Sequence, residues 1–108
     1  MIRNIEDLIK KIKKSRRKNK KKSYTSFLLK SGLKRCIKKF NEESKEFSSS
    51  LYDSKKKIIH EAADMLYHFF VVLEYSKIKY NDIINELDKR SKFSGFEEKK
   101  KRSLKLKI

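Results

Sequence analysis

Residues 55–76 read KKKIIHEAADMLYHFFVVLEYS, and this stretch decides the fold. Ile58, Ile59, Ala62, Ala63, Leu66, Phe69, Phe70 and Leu73 recur at spacings of three and four, which makes one broad apolar face of a helix. Directly opposite lie Glu61, Asp64 and His68, at i, i+3 and i+7. Met65, Val71 and Val72 flank those polar residues, which a stripe facing only solvent does not need. The pattern therefore predicts a helix buried on both sides, its carboxylates turned toward a second interior. A small helical monomer has room for one interior, so the same pattern predicts a dimer.

The helical period continues upstream. Over residues 33–50, Leu33, Cys36, Ile37, Phe40, Ser44 and Phe47, with Leu51 just beyond, fall in a stripe about 100° wide, with Lys39, Glu43 and Glu46 beside it and Glu42 slightly further round. A first helix over about 2–14 sets Ile2, Ile5, Leu8 or Ile9 and Ile12 at the same spacings. The run 15–22 has no apolar residue and reads as an exposed loop. Ser23 suits the N-cap of a short helix over 24–31, which Gly32 closes as its C′ residue. A fifth helix over 81–90 carries Ile83, Ile84 and Leu87. With no Pro and two Gly in 108 residues, a turn-rich β sandwich is excluded. The expectation is an all-α, five-helix chain, with one domain over residues 1–95 and a basic C-terminal tail over 96–108.

Charge comes next. Lys and Arg number 31 against 14 Asp and Glu, a net charge of +17. The densest cluster, residues 10–22, has ten Lys or Arg in thirteen positions, and a second lies at 99–107. Of the basic residues 25 are Lys, while Ile, Asn, Ser, Phe and Tyr are plentiful and Ala and Gly scarce. That is the usage of an AT-rich coding sequence, in which Lys fills any tolerant surface position. Most of these lysines thus read as solvated surface, with a subset available to steer a polyanionic ligand. Zinc-finger spacing, RNA-binding aromatic strands and a basic helix running into heptads are all missing. A small basic helical nucleic-acid binder stays the rival from another class, although such a protein has no use for acids gathered on two helices. The single cysteine supports no disulfide framework. The basic N-terminal stretch lacks the apolar run of a signal peptide, and the longest apolar stretch, 65–73, is far short of the roughly twenty residues that span a bilayer. A cytoplasmic protein with no membrane partner is expected.

Two acidic motifs stand against this background: Glu42-Glu43-Ser44-Lys45-Glu46 and Glu61-Ala62-Ala63-Asp64. Spacing of i, i+3 points Glu43 with Glu46, and Glu61 with Asp64, to the same side of their helices. Like charges so close repel unless a cation sits between them. Mg²⁺ suits such a site, because it takes carboxylate oxygens, keeps several waters and is completed by substrate phosphates. Solvated helix-surface acids are the alternative at this point. Ala62 and Ala63, the chain's two alanines, would let the helices approach closely enough to share an ion.

The order EExxE, fourteen residues, ExxD resembles the signature of the all-α, MazG-like nucleotide pyrophosphohydrolases. Within that superfamily the chain is similar to the phosphoribosyl-ATP pyrophosphohydrolase family. The family's Ser-Tyr-Thr stands at Ser23-Tyr24-Thr25, its turn and basic stretch at Ser31-Gly32-Leu33-Lys34-Arg35 through Lys39, its E-A-x-D and Tyr-His at Glu61 to His68, and its closing L-x-x-R at Leu87 to Arg90. Asn41 replaces a usual Gly, and Ser48-Ser49-Ser50 replaces alanines. No fused cyclohydrolase domain accompanies the match, so the following pathway step is expected on another polypeptide.

The resemblance implies a four-helix-bundle-like, dimeric MazG-type fold and Mg²⁺-dependent hydrolysis of phosphoribosyl-ATP to phosphoribosyl-AMP and pyrophosphate, in histidine biosynthesis. It implies metal ligation by Glu43, Glu46, Glu61 and Asp64, with Glu42 behind them or on a further ion. One of these five carboxylates would take the proton of the attacking water. Lys39 and Thr25 become candidates for substrate phosphate, as does Ser23, whose helix start also offers backbone N–H groups to an anion. Tyr24, like Tyr67, reads as a packing residue with a wet edge, and His68 as a structural histidine hydrogen-bonded at the dimer interface rather than a catalytic base. Tyr24 and His68 stay in the substrate-binding set with Arg90, a partner of substrate or of a helix end. Within the same superfamily, a pyrophosphatase acting on ordinary nucleoside triphosphates is the nearest rival, against which Ser-Tyr-Thr and Tyr-His argue.

Overall fold

The computed structural model describes residues 1–93, 95–97, 99, 100 and 102. They are all-α: none of them lies in a strand. The helices are α1 (Ile5–Ser15), α2 (Tyr24–Lys30), α3 (Leu33–Ser50), α4 (Lys55–Tyr75) and α5 (Tyr80–Arg90). The chain forms two compact units, Met1–Ile78 and Lys79–Ile108. Among the described residues, no helix is long and apolar enough to cross a membrane.

In the first unit, side-chain caps set the helix starts. α1 begins at Ile5, three residues later than the apolar period alone suggests, because Asn4 Oδ1 accepts from the Asp7 N–H at 2.8 Å. Ser23 caps α2 as expected, accepting from Ser26 N at 3.2 Å, and Ser54 caps α4 by accepting from Lys57 N at 3.3 Å. Gly32 separates α2 from α3 with a φ of 97°, a value that favours glycine. α4 closes without a glycine: Lys77 takes a φ of 56°, its N–H donates to Glu74 O, and Ile78 N donates to Leu73 O. This is a complete Schellman closure.

The loop 15–22 is more tethered than its composition suggests. Arg16 donates to Glu74 O at 2.8 Å and pairs with the Glu74 carboxylate at 3.6 Å. The backbone oxygen of Lys18 accepts from Ser26 Oγ at 2.6 Å and from Lys30 Nζ at 2.9 Å.

α4 is the axis of the unit and packs against α1, α2 and α3. The core consists of Ile12, Leu28, Leu29, Cys36, Phe70, Val71 and Leu73. The two sides of α4 fall differently from the sequence pattern. Glu61, His68 and Val71 are buried within the chain, whereas Ile59 is 68% exposed, Leu66 is 38% exposed and Ala63 is exposed. The reason is where neighbours lie along the helix. Its C-terminal half has contacts from the α1–α2 region, through Arg16, Tyr24 and Thr25, so Phe70 and Leu73 are covered as well as Val71. In its N-terminal half the Glu61 side faces α3, and the Ile59–Leu66 stripe stays open. The carboxylates therefore face a helix of their own chain. α3 shows the same graded cover: Cys36 is buried, Phe40, Ser44 and Phe47 are half-buried, and Leu33, Ile37 and Leu51 are exposed.

In the second unit, α5 has no buried residue, Ile83 is half-buried, and Arg90 Nε donates to Glu86 Oε1 at 3.1 Å. Residues 95–97, 99, 100 and 102 are helical. The parts of the expected C-terminal tail at residues 98, 101 and 103–108 lie outside the described residues.

Candidate functional site

The site starts from the short connection between α3 and α4. Four residues, 51–54, join the helices, so the two run back antiparallel and their motifs meet in reverse order. Glu46 and Glu43 come to Glu61, and Glu43 also lies close enough to feel the Asp64 charge. One carboxylate oxygen from each of Glu43, Glu46 and Glu61 lies within 4.8 Å of the others. A second trio, His60, Glu61 and Asp64, meets the same limit and shares Glu61. The four carboxylates expected to act together thus form two overlapping groups. Glu42 belongs to neither, and its Oε2 lies 3.2 Å from Lys39 Nζ.

Glu61 is the centre of this geometry. It is buried, Lys57 Nζ lies 2.9 Å from its Oε1, and its Oε2 has no hydrogen-bond partner. A buried carboxylate oxygen without a donor is costly, so the atom fits a ligand that supplies positive charge. The Lys57 ammonium holds the Glu61 carboxyl below the usual carboxylate range against the opposing effect of burial. Glu43 is pushed the other way: burial raises its carboxyl, and Asp64, Glu46 and Glu61 raise it further. Such electrostatic frustration among all-oxygen donors matches a hard divalent cation. Below the cluster a cavity of about 450 Å³ is lined by Glu42, Lys45, Glu46, Asp53, Lys57 and Glu61, among others.

One turn beyond Asp64 the chemistry changes. His68 is buried, and its ring meets the ring edges of Tyr67 at 5.0 Å and Tyr24 at 6.3 Å between centroids. Burial pushes its imidazole below the ordinary value, with Asp64 pulling upward and Lys39 downward. The Thr25 hydroxyl is hydrogen-bonded to the Tyr67 hydroxyl, and burial raises that phenol. Tyr24 is 52% exposed. Ser23, Tyr24, Thr25, Lys39 and His68 are thereby gathered at the α2 side of the acid cluster, while Arg90 belongs to the second unit. Lys57 and His60 are the groups the motif search missed. Their signal was the i, i+4 spacing to Glu61 and Asp64, and His60 Nε2 does lie 3.5 Å from Asp64 Oδ2.

The family model for phosphoribosyl-ATP pyrophosphohydrolase matches residues 5–91. The chain belongs to that family. The phosphoribosyl-ATP pyrophosphatase of Vesicomyosocius okutanii subsp. Calyptogena okutanii (strain HA) is 43% identical over 83 residues, 76% of this chain and 79% of that protein. A phosphoribosyl-ATP pyrophosphatase from Sinorhizobium medicae (strain WSM419) is 35% identical over 99 residues, 91% of this chain and 92% of the relative. The histidine biosynthesis bifunctional protein HisIE of Caldanaerobacter subterraneus subsp. tengcongensis is 42% identical over 71 residues, 65% of this chain but 35% of that longer protein. The pyrophosphohydrolase match spans α1 to α5 and includes both acidic motifs.

Proposed function

We propose that this protein hydrolyses phosphoribosyl-ATP to phosphoribosyl-AMP and pyrophosphate with the help of Mg²⁺, as a step of histidine biosynthesis in the cytoplasm. The observation that carries the reading is the convergence of Glu43, Glu46 and Glu61 on one point, with a buried, unpartnered Glu61 oxygen, in a chain of the pyrophosphohydrolase family. Glu43, Glu46, Glu61 and Asp64 would hold the ion. Mg²⁺ held there would supply charge neutralisation at the phosphoanhydride and Lewis-acid activation of water. One of these carboxylates would take the proton of the attacking water. Lys39, beside Glu42, would hold a phosphate once the acids are neutralised, and Ser23, Tyr24, Thr25 and His68 would line the substrate next to it. Arg90 is assigned to the substrate or to a helix end.

The molecule is a dimer in this reading, of four-helix-bundle-like MazG type. The support is the open apolar stripe Ile59–Ala63–Leu66 on α4, together with exposed Leu33 and Ile37 on α3. Light scattering should give twice the 13.0 kDa chain mass. The catalytic domain would be residues 1–95, followed in sequence by the basic residues 96–108.

One assay tests the function: pyrophosphate release from phosphoribosyl-ATP beside ATP and dUTP, with Mg²⁺ and with EDTA. Release from phosphoribosyl-ATP that EDTA abolishes supports the assignment. Preferential turnover of ATP or dUTP moves it to a general nucleotide pyrophosphatase, and inactivity on all three ends the enzyme reading.

A further inference from the structure

Lys57 holds an unusual post for a lysine on a basic protein. Its Nζ sits 2.9 Å from Glu61 Oε1, one helical turn on, and half of its own side chain is exposed while the Glu61 side chain is 4% exposed. The partner oxygen, Glu61 Oε2, is buried without a hydrogen bond. The most buried carboxylate of the cluster is thus satisfied on one oxygen by a tethered cation and on the other by nothing. Glu43 and Glu46 bring their oxygens to the same carboxylate. An ammonium and a divalent ion placed around one carboxylate compete for its lone pairs and repel each other.

We propose that Lys57 is a built-in counter-ion for Glu61 whose ammonium a divalent cation entering at the unpartnered Oε2 must push aside by charge repulsion, so that this lysine sets the metal affinity of the site. The inference rests on the reading of the carboxylate cluster as a metal centre. Two features support it. A buried carboxylate left without any positive partner is strongly destabilising, and Lys57 supplies that partner when no metal is bound. The displaced ammonium also has somewhere to go. The cavity of about 450 Å³ that Lys57 and Glu61 line is bordered by Glu42, Glu46 and Asp53 as well. Glu46 and Asp53 already favour the charged form of Lys57, after the larger effect of Glu61. Exchange costs least when the incoming ion brings more charge than the ammonium it replaces. The device therefore favours divalent over monovalent cations.

The test titrates Mn²⁺ by calorimetry into the wild-type protein, Lys57→Met and Lys56→Met at fixed ionic strength, and records melting with and without the metal. Lys57→Met should bind Mn²⁺ about tenfold more tightly than wild type, melt lower without metal and gain more from its addition. Lys56→Met, which removes the same unit charge from an exposed neighbour, should bind as wild type does. Lys57→Arg keeps the charge and should bind no more tightly than wild type, which keeps the proposal testable if Lys57→Met needs metal to fold. Unchanged or weaker Mn²⁺ affinity in Lys57→Met overturns the counter-ion role, and so does an equal gain in Lys56→Met. If neither wild type nor Lys57→Met binds Mn²⁺, the metal reading itself falls and takes this inference with it.

Discussion

Along α4, residues 68–73 and residues 57–66 meet different surroundings. The C-terminal stretch buries His68, Phe70, Val71 and Leu73, with rings and hydrogen bonds closing in from α2 and the Arg16–Glu74 pair from the α1–α2 loop. Its stability comes from apolar area removed from water and needs no ligand. The N-terminal stretch buries Glu61, leaves one of its oxygens without a partner, sets Glu43 and Asp64 nearby, and leaves Ile59 and Leu66 open. One end of a single helix supplies the fold, and the other stores unfavourable electrostatics that a cation would relieve. A substitution should therefore trade stability against activity in opposite directions at the two ends.

The largest effect is expected at the acid end. Glu43→Gln and Asp64→Asn keep size and helix propensity while removing one charge each. Either should lower pyrophosphate release about a hundredfold or more and leave the metal-free protein at least as stable as wild type, because a repulsion is removed. Loss of stability without metal in both variants would make these carboxylates structural. At the other end Leu28 is fully buried. Leu28→Ala should cost about 2–5 kcal/mol in denaturant unfolding, while turnover per folded molecule is retained.

Acid–base behaviour separates the two ends again. Burial and three neighbouring carboxylates raise Glu43 above its ordinary value of 4.5, so the folded protein carries a proton there that the unfolded chain has lost. Metal-free stability should fall as pH climbs from 4.5 through the raised folded value. His68 gives the opposite slope. Its imidazole is held neutral below the ordinary 6.5, so the unfolded chain binds the extra proton and stability is lost as pH drops from 6.5 through the lowered folded value. Melting curves in EDTA should show the first slope flattened in Glu43→Gln and the second in His68→Gln. The smallest effect lies just past α4. Lys77 holds a left-handed φ of 56° with its closing hydrogen bonds made, and Lys77→Gly should add about 1 kcal/mol, read as a small rise in melting temperature.

The five helix positions were legible because period and caps agree over most of them. Ser23 and Gly32 marked the ends of α2 correctly, whereas Asn4 delayed α1 through a cap that an apolar period does not register. Which side of α4 is buried within the chain was not legible. Periodicity counts apolar residues and is blind to which neighbour exists at each height, so Ile59 and Leu66 looked like core and are open. The acid motifs announced themselves by spacing against a basic background. Their split into two trios, and the entry of Lys57 and His60, depended on α3 and α4 meeting in reverse order. The helical residues beyond 94 had no sustained apolar period to reveal them.

In the proposed metal site a divalent cation completes the acid end of the α3–α4 hairpin. The most direct measurement is the melting temperature with and without Mg²⁺ for wild type and Glu61→Gln, near neutral pH. The account predicts a clear rise for wild type that grows with Mg²⁺ concentration by linkage, and a much smaller rise for Glu61→Gln. Equal shifts in the two proteins, or no shift in wild type, would contradict it.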